Sequence, residues 1–295
     1  PGGDMMTPST LLRALVRRGL QAGPVFFAVV ALALSVTAPR ARADLLVLNS
    51  AGSSSHIKRF NATTGAAMNT FGYTNEGMDS LTVTSLNEVL TNSNILGGYD
   101  LYRFNAAGEY RGTLLGGEQA GLTAATRGPD GNLYVIWRDY PGETRRIVRV
   151  DSPALTTLVA AGAGGMAAPA WMAFGPDRNL YVSDAQAGIL RFDGTTGAAL
   201  GVFVAAGSGG LPAGARFVFG PDGHLYVPRS STNSVRRFAG GNGALIDEFV
   251  APASGGLINP RAVAFGPGGH LYVTSAGTRQ VLRYEEQQHE WIRPD

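Results

Sequence analysis

Downstream of residue 43 the apolar positions come in short runs separated by clusters of Gly, Asp, Asn and Pro. Such runs, bounded by turn-forming residues, predict β-strands, and no stretch there carries the 3.6-residue period of an amphipathic helix. One run returns in a fixed setting. Gly128-Pro129-Asp130-Gly131-Asn132-Leu133-Tyr134-Val135 is followed by Gly175-Pro176-Asp177-Arg178-Asn179-Leu180-Tyr181-Val182, by Gly220-Pro221-Asp222-Gly223-His224-Leu225-Tyr226-Val227, and by Gly266-Pro267-Gly268-Gly269-His270-Leu271-Tyr272-Val273. The starts at 128, 175, 220 and 266 lie 47, 45 and 46 residues apart. A second run, in step with the first, ends in Arg followed by an aromatic or apolar residue: Arg59-Phe60, Arg103-Phe104, Arg149-Val150, Arg191-Phe192, Arg237-Phe238 and Arg283-Tyr284.

Each unit holds four short strand candidates. In one, Leu180-Tyr181-Val182 and residues 189–192 are followed by the hairpin turn Asp193-Gly194-Thr195-Thr196-Gly197 and an outer strand at 199–204. A Gly-rich stretch, 207–214, then leads to Arg216-Phe217-Val218-Phe219, the inner strand of the next unit. A turn-then-strand period of about 46 residues predicts an all-β fold, a six-bladed β-propeller of four-stranded antiparallel blades. The first two blades precede the first Gly-Pro-Asp; Leu45-Leu46-Val47 and Glu88-Val89-Leu90 stand where Leu-Tyr-Val stands later. Inner-strand candidates occur at 80–84, 122–127, 170–174, 215–219 and 261–265, so the first unit lacks its own. The tail from 285 resembles no other copy. Either residues 290–293 close the ring, or the reading frame ends short of a natural C-terminus.

Residues 1–43 read differently. Arg13, Arg17 and Arg18 precede an apolar run at 25–36, and Ala41-Arg42-Ala43 offers a small-x-small cleavage site. This predicts a secretory signal peptide cut after Ala43, leaving one propeller domain at 44–295. The run falls short of the ~20 residues a spanning helix needs. The whole chain has 24 basic and 22 acidic residues; setting aside five leader arginines and Asp4 leaves 19 and 21, a formal charge of −2. No basic stripe then remains for nucleic acid, and no polybasic tract for a membrane surface. Cysteine is absent, which excludes thiolate metal sites and Cys nucleophiles, so an exported domain of this composition rests on its core alone. The expected localisation is secreted or extracytoplasmic, as a monomer without a membrane span.

Gly-His-Leu-Tyr-Val at 223–227 and 269–273, each followed by a strand ending Arg-aromatic, resembles the NHL repeat, and the likeness covers 44–285. The resemblance implies a six-bladed propeller of the kind also seen in TolB-like and gluconolactonase-like proteins. It implies no single activity, since NHL propellers include binding modules and a metal-bearing amidating lyase, with lactonases and streptogramin lyases as distant relatives. Streptogramin lyases resemble this chain in Gly-Pro-Asp-Gly-Asn-Leu, but their strand continues aromatic-Phe-Thr-Glu, whereas here Tyr-Val is followed by no Glu.

The repeated polar residues are expected to build blades. Asp130, Asp177 and Asp222 suit turns in which Asp bonds its own backbone two residues on, and His224 and His270 share a turn slot with Asn132 and Asn179. The six arginines are expected to link blade to blade or to be solvated, and the stretches 162–165 and 207–210 to be flexible. Function should sit where copies differ. Two residues after the Leu-Tyr-Val strand stand Trp137, Asp184, Arg229 and Ser275. The long insertion 136–143 brings Trp137, Arg138, Asp139 and Tyr140, types that anchor binding surfaces. With Asp184 and Arg229 they predict a loop face binding a protein, peptide or glycan. The alternative is a metal-assisted hydrolase or lyase, with Ca²⁺ in the channel held by Asp79, Asp184 and Asn233 and Glu76 nearby.

Overall fold

The computed structural model describes residues 27–34, 43–51, 54–61, 66–74, 78–83, 88–93, 100–115, 120–139, 142, 144–151 and 154–285. They form six antiparallel sheets arranged as a propeller. Blade one contains β1 (Phe27–Leu34), β2 (Ala43–Ala51), β3 (Ser54–Asn61) and β4 (Ala67–Thr74). Blade two contains β5 (Met78–Val83), β6 (Val89–Ser93), β7 (Leu101–Phe104) and β8 (Tyr110–Leu115). Blade three contains β9 (Ala120–Arg127), β10 (Leu133–Asp139), β11 (Arg145–Asp151) and β12 (Ala154–Val159), and blade four β13 (Pro169–Phe174), β14 (Leu180–Asp184), β15 (Gly188–Phe192) and β16 (Ala199–Ala205). Blade five contains β17 (Val218–Phe219), β18 (Leu225–Arg229), β19 (Ser234–Phe238) and β20 (Leu245–Val250). In blade six the described strands are β21 (Pro260–Phe265), β22 (Leu271–Ser275) and β23 (Gln280–Tyr284); the tail expected at 290–293 lies outside the described residues.

The two repeated runs are neighbouring strands, and their register explains why they travel together. Tyr134, Tyr181, Tyr226 and Tyr272 stand directly opposite Arg149, Arg191, Arg237 and Arg283. Leu180 and Val182 face the preceding blade, among Ile136 and Ile147, while Tyr181 faces the following one. The Tyr181 ring wedges between Phe203 of its own outer strand and Phe219 of the next inner strand, each 4.8 Å away and edge-on. Tyr226 does the same between Phe249 and Phe265. Its hydroxyl reaches back to the preceding turn: Tyr134, Tyr181 and Tyr226 donate to Asp130, Asp177 and Asp222 at 2.8, 3.0 and 2.8 Å. The other oxygen of each Asp accepts the backbone N–H two residues on, as the sequence predicts. The turn opens with Gly because the ring lies over it; a Cβ on Gly175 would sit 2.6 Å from the Tyr181 ring. Burial, with the bonded Asp130 carboxylate, pushes the Tyr134 phenol up to about 12, so it stays a donor at any ordinary pH.

Of the arginines expected to link blades or to be solvated, Arg149 and Arg237 bond within their own blade, and Arg149 is also solvated, its side chain 39 % exposed. Arg237 forks onto Asp247 of its own outer strand at 3.2 and 2.6 Å, and Arg149 onto Asp151 at 2.7 and 3.1 Å. Nor are the Gly-rich stretches loose: Ala163–Gly165 and Ser208–Gly210 form 3₁₀ turns, repeated at Ser254–Gly256. The first two pack on the aromatic that ends the third strand of the following blade: Phe192 lies beside Gly164 and Phe238 beside Gly209. Tyr284 takes the same part in blade six, donating through its hydroxyl to the Ser254 carbonyl.

The first blade does have an inner strand. The backbone of Phe27–Leu34 pairs residue by residue with 43–50 and lies beside β5 and β21, correcting the count of five. The ring closes where Leu45, Val47 and Phe60 of blade one meet Ala264, Tyr272 and Val281 of blade six. A continuous apolar run suits a strand buried on both faces as well as it suits a leader. Two outcomes follow. Tyr226→Phe removes one hydroxyl bond to a carboxylate and lowers stability by about 1–2 kcal/mol, read by urea unfolding. A chain starting at Asp44 lacks β1 and melts below the full chain; intact mass of the exported protein tells which form the cell makes.

Candidate functional site

Strand alternation puts the Gly-Pro-Asp turns and the hairpin turns on one face, joined there by the Gly240 N–H, which donates to His224 Nδ1 at 3.2 Å. His224 is thus a turn fastener, as its slot predicts. His270 is half-buried, and burial, then the nearby Arg283, lower its pKa. His56 lies on β3, away from the turns, and His289 lies outside the described residues. The opposite face gathers the turns between second and third strands and the segments that cross from one blade to the next. Trp137, Asp184, Arg229 and Ser275 all stand at that end of the second strand.

Asp184 is buried to 1 % exposure. One oxygen accepts the N–H groups of Gln186 and Ala187, at 2.8 and 3.0 Å; the other accepts those of Ala167 and Ala168, at 2.8 and 2.6 Å. It therefore pins the crossing segment to the turn of its own blade. Burial alone would raise its pKa, but the four amides outweigh burial and hold it below the usual carboxylate range. Both oxygens are taken up, which argues against the expected metal-ligand role. Ser275 makes the equivalent fastening in blade six: its hydroxyl accepts from the Ile258 N–H at 2.9 Å and donates to the Ile258 carbonyl at 3.1 Å.

Asn233, the third expected ligand, has a left-handed backbone (φ 55°), and its side-chain oxygen accepts the Asn259 N–H at 2.8 Å. Its carbonyl accepts the Ala253 N–H at 2.9 Å, so it too holds a crossing segment. Asp79 lies on β5, its side chain outside the described residues, as is Glu76. Among the described residues no three His, Asp or Glu side chains come together closely enough to hold a metal ion.

Trp137, Arg138 and Asp139 belong to β10 rather than to a loop, because the strand runs on past a bulge at Ile136. Trp137 donates its indole N–H to Asp139 at 3.1 Å, and Asp139 takes Arg146 at 3.1 Å. Arg138 stands opposite Gly121 and Arg145, and Arg145 reaches the Pro169 carbonyl of the next blade at 3.2 Å. Tyr140 lies outside the described residues.

Arg229 is different. Its side chain is 12 % exposed, and its Nε and Nη1 atoms are buried without a hydrogen-bond partner. Burial, then the neighbouring Arg236, lower its pKa. Sequence reasoning picked out Arg229 but missed Arg236 and Glu248 beside it; the signal was the replacement of Leu190 and Leu282 by Arg at one register position.

No family model matches the chain, and no curated protein does. Solved structures do. A putative gluconolactonase is 17 % identical, with a TM-score of 0.64 and 89 % of each chain covered. A gluconolactonase from Xanthomonas campestris is 17 % identical, with a TM-score of 0.59, over 89 % of this chain and 98 % of its own. Virginiamycin B lyase from Staphylococcus aureus is 19 % identical, with a TM-score of 0.54, over 87 % and 84 %. At these identities the likeness defines the fold: this chain is a six-bladed β-propeller.

Asp184→Ala orphans four amides and costs roughly 3 kcal/mol or more, read by denaturant unfolding. Because the folded pKa is depressed, the carboxylate's contribution is present above pH ~4 and is lost as pH falls through the folded value. Asp184→Asn therefore shows a shallower loss of stability on acidification than the parent.

Proposed function

We propose that the protein is an extracytoplasmic, NHL-type propeller that works by binding. It takes a protein, peptide or glycan on the face where the crossing segments meet the ends of the second strands. The observation that carries this reading is the contrast within a single slot. Asp184 and Ser275 are consumed by backbone groups, whereas Arg229 keeps guanidinium Nε and Nη1 without a hydrogen-bond partner beneath a glycine turn. An enzyme in this place would need a general acid, a base or a cation at a reacting atom. Asp184, which the sequence offered as a ligand for such a cation, is engaged through both oxygens in holding the chain. The location outside the cytoplasm rests on the arginine-led apolar N-terminal pattern. If that segment is removed, blade one functions without β1.

The second reading is a metal-assisted hydrolase or lyase, favoured by the fold shared with gluconolactonases and virginiamycin B lyase. Thermal melts of the purified full chain separate the two. With EDTA, then with Ca²⁺, Mg²⁺ or Zn²⁺ in excess, the binding reading expects an unchanged Tm. A metal-specific, saturable rise would overturn it in favour of the metal-assisted enzyme, since a ligand bound only by the folded form stabilises by mass action.

A further inference from the structure

The junction of blades four and five is built from different chemistry than its counterpart between blades three and four. At the latter, the equivalent positions hold Asp184 at the end of the second strand, Leu190 on the third and Val202 opposite Leu190 on the fourth. At the former they hold Arg229, Arg236 and Glu248, on β18, β19 and β20. Arg236 donates through Nη1 to the Gly209 carbonyl, and its Nε lies 3.6 Å from Glu248; Arg229 Nη1 lies 3.9 Å from the same oxygen, beyond hydrogen-bond reach. Ser234 donates to that oxygen at 2.5 Å. The Ser208–Gly210 turn roofs the pair: a Cβ on Gly210 would sit 2.6 Å from a guanidinium nitrogen of each arginine. Two cations and one carboxylate leave a single positive charge, in a place where a buried guanidinium without acceptors is costly.

We propose that this junction is a binding site for one carboxylate group of a ligand. A carboxylate supplies the acceptors that Arg229 lacks, and its single charge neutralises the cluster; a phosphate dianion would leave it overcharged. Planar, charge-assisted pairing with guanidinium is the strongest form such a contact takes. Arg236 and Glu248 beside Arg229 keep 23 % and 31 % of their side chains exposed. This gives the binding reading above a ligand class, an acidic peptide side chain or an acidic sugar, and rests on that reading.

Thermal melts of the full chain with sodium acetate, N-acetylglutamate or sodium glucuronate, against sodium chloride at equal ionic strength, test it. A saturable rise in Tm over chloride is expected with at least one of the carboxylates. A larger response to N-acetylglutamate points to a peptide source, and to glucuronate a glycan. Arg229→Met fills the same space without the charge; it should fold with an unchanged or higher Tm and lose the response, and Arg236→Leu, the residue blade four uses, should weaken it. No rise with any carboxylate, or an equal rise in parent and Arg229→Met, overturns the site. Either result leaves the binding reading standing, because only a metal-specific shift overturns that.

Discussion

The tyrosine of the repeated strand couples two things a propeller needs at once. Its ring is the wedge between blades, and its hydroxyl ties down the turn that feeds its own strand. A phenylalanine there would keep the wedge and leave the turn carboxylate without the hydroxyl that bonds it. The rest of the repeat follows from this contact: glycine where the ring overlies the backbone, Asp two residues later, Arg directly across the ladder. Blades one and two show the converse. Leu46 and Leu90 stand opposite Arg59 and Arg103 where the later blades have Tyr, and the Gly-Pro-Asp turn has gone as well.

This coupling is why blades three to six could be read from the sequence. Turn, tyrosine and arginine recur in a fixed register, and any one of them predicts the others. What escaped was written in features that serve two purposes. An apolar run such as 27–34 suits a leader and an inner strand equally. The Gly-rich stretches looked slack because glycine content says nothing about what lies beside it; a neighbouring Phe192 or Phe238 makes them tight. Asp184 looked like a ligand for the same reason: the four amides it receives belong to the backbone and leave no trace in side-chain identity. The bulge at Ile136, which carries Trp137 and Asp139 onto a strand, has no residue signature either.

The slot at the end of the second strand takes Trp, Asp, Arg or Ser, so the fold does not dictate one side chain there. Something must fasten the segment crossing from the previous blade; from this slot a carboxylate does so in blade four and a hydroxyl in blade six. A position under such loose structural demand is one where a repeat protein can acquire a site without rebuilding a blade. Arg229 is the case where fastening is incomplete: the glycine turn is held by Arg236, and Arg229 has donors to spare.

Blade six departs from its neighbours at one point. Gly268 occupies the place of the turn aspartate, so that turn is built without the carboxylate. Tyr272 is the residue that meets Leu45 and Val47 across the closing seam. At the seam the tyrosine keeps its packing between blades although the acid of the turn is gone. The joint that closes the circle is thus set by packing across the seam, and the turn before it can change in sequence without giving up that joint.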